Sequence, residues 1–242
     1  MHYSLEMLAF VLGALVSAAQ PGCSPEAAER LSRAVVRAAE FDLEGASAQL
    51  DTDVIQGCES AQIAMVYVRG LIYAEDAFRQ GAPPASLVPV RQAIASLEGI
   101  SKGRPGSAAV ALLVLQAAAA AAQSEREEMR LYLESAAQME SLQQAAGQPG
   151  APLVSAAEAA GDLWLQVHRY DDARRAYAEA ARRMGFTARI LAGLARSARR
   201  LNDMPAACAA FHRLLESWGA RLGLAAPIAE ARAYVASCQA SP

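Results

Sequence analysis

Lysine is nearly missing from this chain of 242 residues: Lys102 is the only one, and arginine supplies the other 21 of the 22 basic side chains. Beside so much alanine, that bias reflects a GC-rich coding preference more than a function. Aromatic residues are also scarce, at 6%, although 54% of the chain is hydrophobic. Alanine makes up the difference. It is the best helix former and lets helices approach closely, so this composition argues for a helical array and against a sheet. Chemistry-bearing motifs are missing too. There is no Cys-x-x-Cys, no Gly-Lys-Ser/Thr phosphate loop and no Gly-x-Ser-x-Gly elbow. The histidines are His2, His168 and His212, with no His-x-x-x-His or Glu-x-x-His pairing, so no metal and no cofactor is expected. Glu125, Glu127 and Glu128 read as a solvated acidic turn.

The net charge of −3 is too mild for a nucleic-acid partner, but it is unevenly spread. Residues 161–221 hold 11 arginines and 6 acids, and the remainder is acidic. Such asymmetry steers a partner to one end, or simply reflects solvated helix faces.

What is present is a period. Adding 34 to Gly161, Tyr170, Ala173 and Tyr177 gives Ala195, Met204, Ala207 and Phe211, so small, large and aromatic positions recur in kind; Trp164/Ala198 and Ala180/Leu214 do not match in size. A 34-residue period with small residues where helices meet marks stacked helix–turn–helix units. Each unit packs on its neighbours, so one elongated domain covering 20–242 is expected.

Helices are expected at 26–40, 43–50, 59–78, 87–97 and 107–123, and from Ser124 to about Ala145. Four more follow at about 153–168, 171–184, 187–201 and 204–218, and Pro227–Cys238 closes the chain. Ser24 and Pro25 suit a helix start. Ser124 with Glu127 three residues on reads as a capping box. The helix 107–123 is apolar nearly all round, so it is central or lines an apolar groove. Gly147, Pro149, Gly150 and Pro152 form the longest break, either a joint or a long loop.

Leu8–Val16 is a short apolar run followed by Ser17, Ala18 and Ala19, which reads as a signal peptide over residues 1–19. Against it, the first seven residues carry Glu6 and no Lys or Arg. If the segment is not a signal, the protein is cytoplasmic. A lipid on Cys23 is the other membrane alternative, but of the three preceding residues only Gly22 fits. Otherwise the protein is periplasmic or secreted. Four cysteines allow three pairings. In a stacked array Cys23 is several repeats from Cys208 and Cys238, beyond the roughly 7 Å that a bridge spans between Cα atoms. That leaves Cys23–Cys58 and Cys208–Cys238, or four free thiols in a cytoplasmic protein.

The stretch 154–221 resembles the tetratricopeptide repeat family. In the repeat 154–187, Gly161, Trp164, Ala173, Tyr177 and Ala180 stand at family positions. In 188–221, Ala195, Ala198, Ala207, Phe211 and Leu214 do, and both repeats lack the leading Trp. A weaker match runs through 110–143. The resemblance implies an all-α, right-handed α-solenoid of about five antiparallel helix pairs plus a C-terminal capping helix. It also implies a non-catalytic scaffold whose concave groove takes a peptide or partner helix. The groove positions carried over are Glu158, Asp162, Leu165 and Gln166, then Arg189, Arg196, Arg199 and Arg200, with Val114, Ala118, Ala121 and Ala122 in the repeat before. A groove running from apolar to basic suits an acidic protein or peptide partner. The alternative is an envelope enzyme, or an accessory domain of one, with a site of scattered polar residues.

Overall fold

Four turns of the same construction organise the helices. A computed structural model describes residues 22–103, 106–148, 150–151, 153–223 and 225–239. Among them are eleven α-helices and no strand: α1 Pro25–Ala39, α2 Leu43–Leu50, α3 Glu59–Arg79, α4 Val88–Ser101, α5 Ser107–Ala122, α6 Arg126–Ala145, α7 Ala156–Gln166, α8 Tyr170–Met184, α9 Ala188–Arg200, α10 Met204–Leu222 and α11 Ala226–Gln239. The signal-peptide segment 1–19 lies outside the described residues.

Three residues separate α1 from α2, α5 from α6, α7 from α8 and α9 from α10. In each turn the middle residue is left-handed: Phe41 (φ 69°), Ser124 (64°), His168 (64°) and Asn202 (58°). The third residue donates its N–H to a carbonyl five residues back, Asp42 to Arg37, Glu125 to Ala120, Arg169 to Trp164 and Asp203 to Ala198, at 2.8–3.0 Å. That bond satisfies a carbonyl the helix end would otherwise leave unpaired. His168 and Asn202 are 34 residues apart, so the period seen in the side chains is also a period of the backbone. The expected capping box at Ser124 is not formed. A left-handed residue cannot be an N-cap; Glu125 takes that place without a side-chain cap bond, and Glu127 pairs with Arg130. Ser24 does cap α1, accepting from the Ala27 N–H at 3.1 Å.

The chain divides into two compact units: Asp42–Ala156 with the residues before Ala39, and Ala157 onward with Ala39–Phe41. In the first, α5 packs on α3, α4 and α6. Its buried residues are alanines, valines and one leucine. Small side chains let the helices close up, and at Gly70 the approach is so tight that an added Cβ would strike Leu115. The apolar helix is therefore central, and Val114, Ala118, Ala121 and Ala122 are buried in the core. The break after α6 is anchored within this unit. Buried Glu140 accepts from the N–H groups of Ala151 (3.0 Å) and Ala156 (3.1 Å), and the Tyr67 hydroxyl donates to the Val154 carbonyl at 3.0 Å.

In the second unit α8 packs on α9, α9 on α10 and α10 on α11. Tyr177 of α8 is fully buried and explains the small residues of the period. An added Cβ would meet its ring 2.6 Å away at Gly161 of α7, and closer still at Gly193 of α9. Phe211, its counterpart 34 residues on, is equally buried with Ala207 and Leu214. Each unit also contains a cysteine pair at disulfide distance. Cys23 and Cys58 have Cα atoms 4.3 Å apart, and Cys208 and Cys238 have theirs 6.3 Å apart. Both are the neighbour pairings that the period implies. The second ties α10 to α11.

Candidate functional site

Most of the polar side chains singled out in α7 and α9, all but Gln166 and Arg200, belong to two clusters within the second unit, and both are largely satisfied internally. In the first, Asp162 of α7 is the hub. One carboxylate oxygen accepts the Tyr177 hydroxyl at 2.5 Å, and the other accepts Arg189 through Nε (2.8 Å) and Nη2 (2.5 Å). The Arg189 side chain is only 13% exposed, so it is not a free groove arginine. Glu158, one turn before Asp162, is buried and accepts the Thr187 hydroxyl at 3.3 Å, while Thr187 caps α9 by accepting from the Ile190 N–H. Thus the capping residue of one helix is tied to the preceding helix of the same register.

Burial raises the Tyr177 pKa well above its ordinary value, and the Asp162 charge beside the hydroxyl raises it further. A phenol that desolvated stays neutral and donates. Burial works against the Arg189 cation, but Asp162 and then Glu158 more than offset it, and its pKa lies above the usual guanidinium range.

The second cluster joins α9 to α11. Glu230 accepts Arg196 at 2.7 and 2.8 Å and Arg199 at 3.1 Å. Tyr234, one turn further along α11, places its ring 5.0 Å from Phe211 and 5.8 Å from the Arg199 guanidinium. Of the expected groove residues, then, Glu158, Asp162 and Arg189 meet in one buried network and Arg196 and Arg199 meet on Glu230. Arg200 is exposed, with its guanidinium 5.9 Å from the Tyr170 ring. Leu165 and Gln166 are half-buried. The basic excess of this region is mostly spent on local ion pairs, including Arg174 on Asp203 and Arg183 on Glu179.

Thr187 lies at the end of the first repeat and is not among the carried-over groove positions, and Glu230 and Tyr234 escape a reading confined to two repeats. The signal for the last two was present: Asp162, Arg196 and Glu230 are each 34 apart, as are Gln166, Arg200 and Tyr234. Carrying the period one step further puts α11 in the place of another first helix, with charge alternating down the column. Among the described residues no three His, Cys, Asp or Glu side chains converge as a metal site would need. No protein-family model, no curated protein and no solved structure matches the chain.

Proposed function

We propose that this protein is a non-catalytic, tetratricopeptide-like interaction scaffold of the cell envelope, its helix pairs stacked as a solenoid, that binds an acidic peptide or partner helix along α7 and α9. The observation that carries the reading is the coincidence of side-chain and backbone periods at 34 residues, with successive first helices α7, α9 and α11 joined by Asp162–Arg189 and by Arg196 and Arg199 on Glu230. Such a stack presents one face of every first helix to the same side, and arginine on that face recognises carboxylates bidentately. The two cysteine pairs support an oxidising compartment, periplasmic or extracellular, and no helix among the described residues is long and apolar enough to cross a membrane. The alternative, an enzyme, would draw on Glu158, Asp162, Tyr177 and Arg189. These groups are committed to one another and to Thr187, which favours a structural role for them.

The test is affinity capture from the native envelope fraction with the wild-type chain and with Arg200→Glu. That substitution reverses an exposed charge and leaves the Glu230 cluster intact. Loss of the captured partner is expected. An identical set of partners from both proteins removes the basic face as the binding surface.

A further inference from the structure

The closing helix α11 covers the arginines of α9 unevenly. In its first half Pro227, Ile228 and Ala231 are buried. In its second half Arg232, Ala233, Ala236 and Ser237 face solvent, and Tyr234 and Val235 are only half-buried. Among the contacts that hold that second half are Tyr234 against Phe211, the Tyr234 hydroxyl 3.0 Å from Met204 Sδ, and the Cys208–Cys238 bridge. Glu230 and Tyr234 lie four residues apart, so they share one face of the helix. Together they engage Arg196, Arg199 and Phe211, a basic-plus-aromatic patch already filled by a helix.

We propose that α11 is an internal stand-in for the partner. The surface of α9 and α10 fits an amphipathic helix from another protein that carries a carboxylate and, four residues later, an aromatic ring, Glu-x-x-x-Tyr or Glu-x-x-x-Phe. That helix docks once the Cys208–Cys238 bridge is reduced. The inference rests on the reading of α9 as a partner surface and names its occupant.

Exchange is cheap electrostatically, because the incoming carboxylate remakes the pairs that Glu230 gives up, and the Arg196 and Arg199 side chains are already 33% and 36% exposed. The apolar cover to be remade includes the fully buried Ile228, Ala231 and Phe211, so the incoming helix also carries apolar residues at the positions of Ile228 and Ala231. The covalent tie at Cys238 decides the competition. With the bridge closed, α11 is fixed at both ends. With it open, only the short connection at 223–225 tethers it; a short tether gives an effective concentration of about millimolar, so a partner helix prevails where its concentration relative to its Kd exceeds that ratio for α11. Opening the bridge takes two electrons and two protons from a dithiol: Cys208 and Cys238 become thiols, and the dithiol leaves as a disulfide.

The experiment titrates a fluorescent peptide copying residues 226–239, with serine in place of Cys238, against the full chain. The chain is used oxidised, reduced with dithiothreitol, and as Cys208→Ser/Cys238→Ser, with helicity followed by circular dichroism. The expected result is binding to the reduced and doubly substituted chains at least about tenfold tighter than to the oxidised chain, lost on Glu230→Gln in the peptide or Arg196→Gln/Arg199→Gln in the protein. Equal affinity for oxidised and reduced chains overturns the proposal, as does indifference to Glu230→Gln. Loss of helix on reduction overturns it by making the bridge a plain staple. A dimer formed in place of peptide uptake overturns it by making the occupant a second copy. An unchanged partner set in the Arg200→Glu capture would sink the partner-surface reading while the peptide result still stood, so the two failures are distinguishable.

Discussion

The central helix of the first unit, α5, buries only methyl-bearing side chains against its neighbours: alanine, valine and leucine. Its counterpart in the second unit, α9, joins its neighbours through Thr187, Arg189, Arg196 and Arg199 as well as through a buried alanine face. Both units use the same three-residue turns, yet they are held together differently. Dispersion between small groups is non-directional and tolerates irregular spacing, so nothing forces the first unit to keep a period. Ion pairs and a buried phenol demand fixed positions, and a sequence that repeats them must repeat their spacing. The second unit is therefore regular because its directional contacts join successive first helices, whereas those of the first unit, at Glu140 and Tyr67, hold the loop after α6.

The largest expected effect falls on Tyr177. Tyr177→Ala removes a fully buried ring from between two helices and leaves Asp162 without its hydroxyl donor, a loss of about 4 kcal/mol. Leu97→Ala in the first unit removes a side chain just as buried, but with no polar group left behind, and should cost about 3 kcal/mol. Urea unfolding followed by hydrogen exchange resolves the two. If Leu97→Ala costs as much as Tyr177→Ala or more, directional cohesion is not what distinguishes the units.

Asp162→Asn comes next, at about 2 kcal/mol, because the amide keeps shape but leaves the mostly buried Arg189 without its counter-charge. Glu140→Gln is its counterpart in the first unit. There the amide retains one acceptor for the two N–H groups of Ala151 and Ala156, so a smaller loss is expected. Thermal melts of the two variants compare them directly.

Glycine substitution separates the units by stiffness. An alanine Cβ at Gly193 meets the rigid Tyr177 ring, whereas at Gly70 it meets the ends of Leu115, which can change rotamer. Overpacking costs about 1–3 kcal/mol and the helix gains back up to about 1 from losing a glycine. Gly193→Ala is thus clearly destabilising and Gly70→Ala, which also meets the Ala93 methyl at 3.2 Å, less so. Equal shifts in melting temperature would contradict this.

How much of this was legible beforehand follows the same division. In the second unit the period located the helices, the small Gly161 beside Tyr177 and the partner of Cys208, because directional contacts leave fixed spacings in the sequence. Helix ends of the first unit were also readable, at Ser24 and Pro25 and at Gly147. The roles of the groove residues were not. Arg189 and Arg196 look free on a helix wheel, since their partners Asp162 and Glu230 lie 27 and 34 residues away. Ser124 suits both an N-cap and a left-handed turn, as any serine before a helix does, and at φ 64° its backbone adopts the latter.

A pH experiment isolates the phenol. Because burial and Asp162 raise the Tyr177 pKa above its ordinary 10.0, the folded state holds that proton more tightly than the unfolded chain does. Stability from this group is therefore complete below about pH 10 and is lost as pH rises towards the folded pKa, while arginine stays charged. Tyr177→Phe should cost about 1 kcal/mol at neutral pH and flatten the alkaline decline of the second unit. A decline of unchanged steepness in that variant would assign the effect to other groups.

The smallest effect concerns what the units share. A non-glycine residue in the left-handed region carries a strain of about 1–2 kcal/mol, less for asparagine, whose short polar side chain tolerates it. Glycine relieves the strain but gives back part of the gain as unfolded-state entropy. Ser124→Gly in the first unit and His168→Gly in the second should each raise stability by about 0.5 kcal/mol, whereas Asn202→Gly should change little. His168→Gly also removes the 3.0 Å bond from ring to Tyr170 hydroxyl, an exposed contact of small worth. Equal gains at 124 and 168 would mean that the turn is one device used in both units, independent of whether methyl groups or ion pairs surround it. A gain confined to 124 would mean that the directional contacts of the second unit already hold its turn in place.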